Sequence, residues 1–181
     1  MKKIGIGISV MVVAAIIVLL LAEPVGMKVT KRHSPSETVE ASTGELGISV
    51  TYCRPYKKER VIFGELVPYD KVWRTGANEA TVFSTNKDVR FGDQELSAGD
   101  YALFTIPKED GWTIILNNTV EQWGAFDYDQ TADAIRIEVP VGTVENSVEQ
   151  FTIAASEEND AIILAFTWDT TKVSVPITTQ K

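Results

Sequence analysis

Two arginines and the polar residues near them are the groups in this chain best suited to binding chemistry. Arg54 ends an alternating stretch that begins at Ile48, and Arg74 opens the sequence Arg-Thr-Gly-Ala-Asn-Glu, which ends at Glu79. Guanidinium groups suit carboxylate or phosphate ligands because they donate two parallel hydrogen bonds. Since Arg54 shares the parity of an apolar strand face, we expect it to point toward the core, where it must be paired or line a pocket.

Two interpretations of these residues are open from the sequence. In the first, Arg74 and Glu79 form a structural ion pair that braces the Thr-Gly-Ala-Asn turn between them. In the second, both belong to a polar pocket with aromatic walls, which binds a small anionic ligand or a sugar. The predicted ligand-binding residues are Tyr52, Arg54, Trp73, Arg74, Asn78, Glu79 and Trp123.

Trp123 begins a second aromatic stretch, Trp-Gly-Ala-Phe-Asp-Tyr, which ends at Tyr128. These two rings could stack on a sugar or close the mouth of a pocket. Alternatively, they cap the core of the domain, as large aromatic side chains commonly do. Both interpretations place the stretch at the periphery of the folded domain.

Composition excludes several classes of function. The 181 residues include 25 acidic and 17 basic side chains, a formal charge of −8 that argues against a nucleic-acid partner. With one cysteine, Cys53, and one histidine, His33, the chain cannot form an internal disulfide or the usual Cys/His zinc site. We predict no metal and no cofactor.

An enzymatic function is an alternative to ligand binding. It would be a hydrolase in which Glu79 acts as acid or base beside Arg54 and Arg74.

The amino-terminal segment has the character of a membrane anchor. Ile4–Ala22 contains no charge and no proline, and its length suits a helix that crosses a bilayer of roughly 30 Å. The residues around Ala22 match a cleavage site poorly, so we predict an uncleaved single-pass anchor, with a cleaved signal as the alternative. The predicted organisation is an anchor over residues 1–22, a tether over 23–33 and an extracytoplasmic domain over 34–178. That domain would be periplasmic or at the cell surface.

The elements that must position these residues are strands. Period-2 alternation dominates after residue 33, and no helical period lasts three turns. Frequent turn signals between short strands predict an all-β antiparallel sandwich or jelly roll. Ala161–Trp168 is apolar at both odd and even positions, so it should be a central strand covered on both faces.

Two stretches, 54–80 and 118–134, break the alternation as functional loops do. We expect the following aromatic residues to be mostly buried: Tyr52, Trp73, Trp112, Trp123 and Trp168.

The chain resembles the bacterial family designated domain of unknown function 2911. The most specific match is Val72-Trp73-Arg74-Thr75-Gly76-Ala77-Asn78-Glu79-Ala80-Thr81. The other matching stretches are Ser34-Pro35, Tyr52-Cys53-Arg54-Pro55, Ile62-Phe63-Gly64, Leu66-Val67-Pro68-Tyr69, Ala98-Gly99-Asp100-Tyr101, Leu103-Phe104-Thr105-Ile106-Pro107, Trp123-Gly124, Phe151-Thr152-Ile153 and Val173-Ser174-Val175-Pro176-Ile177.

Members of this family are typically exported bacterial proteins without an assigned activity, so the resemblance implies export but no particular reaction. Together with the aromatic and arginine-bearing loops, it leads us to expect a membrane-anchored ligand-binding or accessory module of the cell envelope. An envelope scaffold without a ligand is the second expectation. The sequence does not indicate an oligomeric state.

Overall fold

A computed structural model describes residues 33–180 of the chain. Every pair of neighbouring strands in this part is antiparallel, so the predicted all-β antiparallel fold is confirmed. The strands are β1 (Ser36–Thr43), β2 (Leu46–Cys53), β3 (Thr81–Thr85), β4 (Val89–Phe91), β5 (Gln94–Leu96), β6 (Gly99–Pro107), β7 (Gly111–Asn117), β8 (Asp133–Pro140), β9 (Gly142–Glu158) and β10 (Ala161–Thr179). One short 3-10 helix, Gln130–Ala132, precedes β8.

The predicted anchor, Ile4–Ala22, lies outside the described residues, and so does nearly all of the predicted tether. Within residues 33–180, no helix is both long enough and apolar enough to span a bilayer. The anchor therefore stays a prediction from the sequence.

Two sheets enclose the main core. The larger sheet has the strand order β1-β2-β3-β6-β7-β8, and the smaller has the order β5-β4-β10-β9. Side chains from both sheets meet between them because alternate residues of each strand point inward. The largest fully buried side chains in this core include Trp112, Trp168, Phe83, Phe91, Phe151 and Phe166. Burying each such side chain contributes about 1.5–3 kcal/mol, which fixes the relative position of the two sheets.

Two burial expectations need correction. In the first half of β10, Ala161–Trp168, residues alternate between buried and half-buried, so the strand is covered fully on one face only. Among residues 33–180, no further layer of strands packs on the outer side of its sheet. Trp123 was expected to be mostly buried, but 44% of it is exposed. It lies in the loop before β8, where no sheet covers it.

A second, smaller apolar cluster lies on the outer face of the six-stranded sheet. On β6, Leu103 belongs to the main core, and its neighbour Phe104 points to the opposite face, where it packs against Ile115 of β7. Ala125 and Tyr128 pack against this outer-face core, as does Val72. These contacts hold both the segment that leads into Arg74 and the loop over residues 118–129 on the outer face of the sheet.

Candidate functional site

The two predicted site arginines lie on opposite faces of the six-stranded sheet. Tyr52 points inward, and its hydroxyl accepts a hydrogen bond of 2.8 Å from the backbone N–H of Ile153 in the other sheet. Arg54, two residues later, shares that inward direction. Cys53, between them, points outward and contacts the carboxylate of Glu79. A single pocket containing Arg54, Arg74 and Glu79 is therefore not formed.

The Arg54 side chain is fully engaged in structural contacts. Its guanidinium forms a salt bridge with Glu37 of β1. It also donates to the backbone carbonyl of Phe151 at 3.1 Å and to the hydroxyl of Thr152 at 2.8 Å. Arg54 thus joins β1 to β9 at the rim of the main core. We expected an inward arginine either to be paired or to line a pocket, and Arg54 is paired.

Trp73 also faces the main core. Its backbone pairs with Thr105 of β6 through hydrogen bonds of 2.7 and 2.9 Å. Its indole stacks on that of Trp168, with ring centres 5.9 Å apart, and meets the ring of Phe151 edge-on. Because neighbouring side chains of an extended segment point to opposite sides, this packing directs Arg74 to the outer face.

The turn that follows Trp73 is held by its own hydrogen bonds. The indole N–H of Trp73 donates to the carbonyl of Gly76 at 3.1 Å, and the hydroxyl of Thr81 donates to the carbonyl of Thr75 at 2.8 Å. Glycine is required at position 76, because an added Cβ would lie 2.9 Å from the carbonyl oxygen of Cys53. The specific sequence of this segment therefore reflects close packing of the turn against β2.

Arg74 has few partners for its five N–H donors. One guanidinium nitrogen donates to the backbone carbonyl of Asn78 at 3.3 Å, a long hydrogen bond. Among residues 33–180, no carboxylate forms a salt bridge with Arg74. The side chain is half-buried, and this burial lowers the pKa of its guanidinium from the ordinary value. Arg74 is thus a partly desolvated cation without an anionic partner in the described domain.

Glu79 does not serve as that partner. Its carboxylate accepts a hydrogen bond from the thiol of Cys53 at 3.5 Å. The predicted structural ion pair between Arg74 and Glu79 is therefore absent from this part of the chain, and the turn is braced by backbone and threonine hydrogen bonds instead. Cys53 itself is buried, as free cysteines commonly are.

The loop over residues 118–129 carries exposed aromatic rings beside Arg74. Trp123 is 44% exposed and Phe126 is 81% exposed. Between them, Gly124 has a backbone φ of 69° and lies directly against the arginine. A Cβ at this position would stand 2.8 Å from a guanidinium nitrogen of Arg74 and 3.4 Å from the ring of Phe126. The guanidinium and the Phe126 ring are therefore near neighbours across Gly124.

A half-buried polar network anchors the carboxyl-terminal end of this loop. The hydroxyl of Tyr128 donates to Asp133 at 2.7 Å and accepts from Arg136 at 2.9 Å. Arg136 also forms a salt bridge of 2.8 Å with Asp133, whose other carboxylate oxygen accepts from the amide of Asn117 at 2.8 Å. Burial, together with the hydrogen bond to Asp133, raises the pKa of Tyr128 to about 12. This network fixes Tyr128 against the outer-face core.

Two amide atoms close to Arg74 are buried without a hydrogen-bond partner. They are the side-chain nitrogen of Asn78, a donor, and the side-chain oxygen of Gln122, an acceptor. The segments that carry them are neighbours, because the backbone N–H of Ala80 donates to the carbonyl of Gln122 at 3.4 Å. Buried unpaired polar atoms each cost about 1–3 kcal/mol, so they are rare in stable folds unless a site requires them.

We define the Arg74 site as Arg74, Asn78, Gln122, Trp123 and Phe126. Three of these were predicted from the sequence: Arg74, Asn78 and Trp123. Gln122 and Phe126 were missed, although the glycine at position 124 could have indicated a close approach between this loop and another group. Of the other predicted residues, Glu79 lies on the same face beside Cys53, whereas Tyr52, Arg54 and Trp73 lie on the inner face.

Three grooves lined by described residues lie away from this site. One crosses the outer face of β1, β2 and β3 between Glu40 and Asp100, and another lies beside Gly111 and Pro140. A third is lined by Asn86, Ala98 and nearby residues. The seven predicted site residues line none of these three grooves.

A family model matches residues 34–177, which covers the whole sandwich from the start of β1 almost to the end of β10. The chain belongs to the family described as protein of unknown function (DUF2911). The resemblance seen in the sequence is thereby confirmed. No curated protein and no solved structure matches the chain. Arg54 and its partners Glu37, Phe151 and Thr152 form what we call the Arg54 corner. Both this corner and the Arg74 site lie inside this DUF2911 domain.

Proposed function

We propose that this protein is a ligand-binding module of the bacterial cell envelope and that its ligand binds at the Arg74 site. One observation carries the proposal: the half-buried guanidinium of Arg74 makes one long hydrogen bond and no salt bridge within the described domain. A partly desolvated charge that lacks a partner destabilises a fold. Its presence is accounted for if an anionic ligand completes its hydrogen bonds.

The surroundings of Arg74 support a ligand that is both anionic and partly apolar. Exposed Trp123 and Phe126 offer ring surface that the fold does not cover. Aromatic rings beside an arginine are frequent where proteins bind their ligands and partners, because they combine large contact area with directed polar contacts. The ligand-binding role of Arg74, Asn78 and Trp123 is thus the part of the sequence prediction that the geometry favours.

The exposure of Phe126 also favours the second candidate, an envelope scaffold that uses this loop to contact another protein. A ring that is 81% exposed presents most of its apolar surface to solvent, and exposed apolar surface can mark a contact with another protein as well as a ligand site. The hydrolase alternative has no comparable support. It required Arg54 beside Glu79, and the guanidinium of Arg54 is engaged with Glu37 on the inner face.

Quenching of tryptophan fluorescence tests whether an anion site lies beside Trp123. Of the four tryptophans, Trp123 is exposed and the other three are buried or half-buried. Iodide is an anionic quencher and caesium a cationic one, so their ratio reports the local potential. In the full-length chain in detergent, we expect iodide to quench more than caesium despite the net charge of −8.

The matched control is an arginine on the other sheet. Arg74→Gln should remove the preference for iodide, whereas Arg90→Gln should leave it unchanged, because Arg90 is exposed and donates to the carbonyl of Asp93. Trp123→Phe should remove most of the quenchable signal. Equal quenching of the wild-type protein by both ions, unaltered by Arg74→Gln, would overturn the proposal.

The envelope location rests on the charge-free segment Ile4–Ala22. We expect the full-length protein to stay in the membrane pellet after alkaline carbonate extraction, with its sandwich domain accessible to protease from the extracytoplasmic side. Recovery of a mature form that begins near Glu23 in the soluble fraction would show a cleaved signal instead.

A further inference from the structure

We propose that the Arg74 site binds a hexuronic acid, a pyranose sugar that carries a carboxylate. This inference rests on the proposed function, since it names the chemical class of the ligand that completes the site. Three groups of this ligand correspond to three features of the site: a carboxylate, an apolar ring face and hydroxyl groups. Each correspondence follows from a different observation.

The carboxylate corresponds to Arg74. A guanidinium presents N–H donors in a planar fork that matches the two oxygens of a carboxylate. Its long hydrogen bond to the Asn78 carbonyl uses one nitrogen only, at 3.3 Å. The backbone at Gly124 packs so closely against the guanidinium that a side chain there would displace it. This contact holds the fork in one orientation and limits its loss of conformational entropy on binding.

The ring face corresponds to Trp123 and Phe126. The C–H groups on one face of a pyranose carry slight positive charge, and the face of an aromatic ring is negative. Both side chains are exposed, and the contact of Phe126 with the Cβ position of Gly124 places one of the two rings beside the arginine. An inorganic anion has no such ring face, so these exposed rings favour a sugar acid over phosphate or sulfate.

The hydroxyl groups correspond to Asn78 and Gln122. The unpaired nitrogen of Asn78 is a donor and the unpaired oxygen of Gln122 is an acceptor. A sugar hydroxyl both donates and accepts, so the hydroxyl groups of a pyranose can satisfy both atoms. Because both atoms are buried, the sugar reaches them only if the residues that cover them shift. The hydrogen bond of 3.4 Å from the backbone N–H of Ala80 to the carbonyl of Gln122 is long and therefore weak, so this link between the two segments opposes such a shift only slightly.

Calorimetric titration of the full-length chain, in a detergent without a sugar headgroup, tests this class of ligand. The probes are galacturonate, glucuronate, galactose and acetate. We expect at least one uronate to bind about tenfold more tightly than either galactose or acetate, since each of these lacks one of the matching groups. A galacturonate trimer distinguishes the source: tighter binding than the monomer indicates a residue of an acidic polysaccharide, and equal binding indicates the free sugar acid.

Variants assign the preference to its residues. Arg74→Gln should reduce uronate binding to the level of galactose, and Arg74→Lys, which retains charge without the fork, should give an intermediate affinity. Trp123→Ala should weaken uronate and galactose alike. Arg90→Gln is the control that should change nothing, and circular dichroism verifies that each variant is folded.

The outcomes separate the two proposals. If acetate binds as tightly as the uronates and Arg74→Gln abolishes both, the anion-binding function stands and the sugar acid is wrong. If galactose binds as tightly as the uronates, the inference is likewise overturned. If no probe binds and iodide quenching does not depend on Arg74, both proposals fall.

Discussion

Arg54 and Arg74 both lie inside the DUF2911 domain, and they differ in what their guanidinium groups contact. Arg54 forms a salt bridge with Glu37 and donates to two acceptors on β9, so it stabilises the junction of the two sheets. Arg74 makes one long hydrogen bond, and burial lowers its pKa. The comparison shows that residue type alone does not reveal whether an arginine stabilises the fold, whereas the contacts of its side chain do.

The same contrast extends to the loops around each arginine. In the Arg54 corner, each guanidinium nitrogen of Arg54 has an acceptor. Nearby, Tyr52 exchanges hydrogen bonds with the backbone of Ile153 across the core. The Arg74 site contains unpaired amide atoms and exposed aromatic rings. Polar groups that are hydrogen-bonded within the fold contribute to its stability, whereas polar groups without a partner remain available to a ligand.

The largest effect is expected from Arg54→Met. This change leaves the buried carbonyl of Phe151 without its donor and Glu37 without its cation. Since 22% of the Arg54 side chain and 39% of the Glu37 side chain are exposed, we discount the cost of a fully buried pair and expect a loss of about 2–3 kcal/mol. Urea unfolding measures it.

Glu37→Gln provides the control for Arg54→Met. It retains an acceptor and should cost only about 1 kcal/mol, and the double variant should cost less than the sum because the two residues are in contact. Additive losses, or an Arg54→Met loss under about 0.5 kcal/mol, would contradict the structural assignment.

Gly76→Ala should have the next largest effect. The new methyl group would stand 2.9 Å from a backbone oxygen of Cys53, which cannot move without disturbing β2. We expect a loss of about 2 kcal/mol in urea unfolding, as for other overpacked positions. Gly47→Ala is the control, because its nearest contact is the flexible side chain of Asn86 at 3.5 Å. Equal stabilities of the two variants would mean that the turn does not pack tightly on the strand.

Tyr128→Phe should cost about 1 kcal/mol, because it removes the hydroxyl between Asp133 and Arg136 but leaves their salt bridge intact. Tyr69→Phe is the matched control, since the Tyr69 hydroxyl has no hydrogen bond to any residue in the described part of the chain. A cost for Tyr69→Phe as large as that for Tyr128→Phe would show that the network does not stabilise the loop.

The pH dependence gives a second test of Tyr128. Burial and the hydrogen bond to Asp133 raise the pKa of Tyr128 in the folded protein to about 12, above the ordinary tyrosine value of about 10. The stability that this shift contributes is therefore fully present below pH 10 and is lost as the pH rises toward 12. Wild-type protein should lose more stability over this range than Tyr128→Phe. Parallel stability profiles for the two proteins would show that Tyr128 titrates normally.

The sequence contained enough information for the fold but only for part of the site. Strict alternation predicted the strands and the inward direction of Arg54, because side-chain direction in a strand follows from parity. It could not predict Glu37 as the partner of Arg54, since that contact depends on how β1 pairs with β2. Alternation also cannot predict side-chain directions within the turn after Trp73, because Thr75 and Asn78 have positive φ angles and the backbone there is not extended. The approach of Gly124 to Arg74 depends on the outer-face core, which the sequence did not reveal.

The most direct test of the contrast between the two arginines is the urea unfolding of Arg74→Met. If Arg74 is retained for binding, removal of a partly desolvated cation that lacks a salt bridge should leave the free energy of unfolding within about 0.5 kcal/mol of wild type, or raise it. Met keeps the length of the apolar stem, so packing beneath Gly124 is largely preserved. A loss of about 2 kcal/mol or more, equal to that of Arg54→Met, would show that Arg74 is a structural residue and would contradict the account.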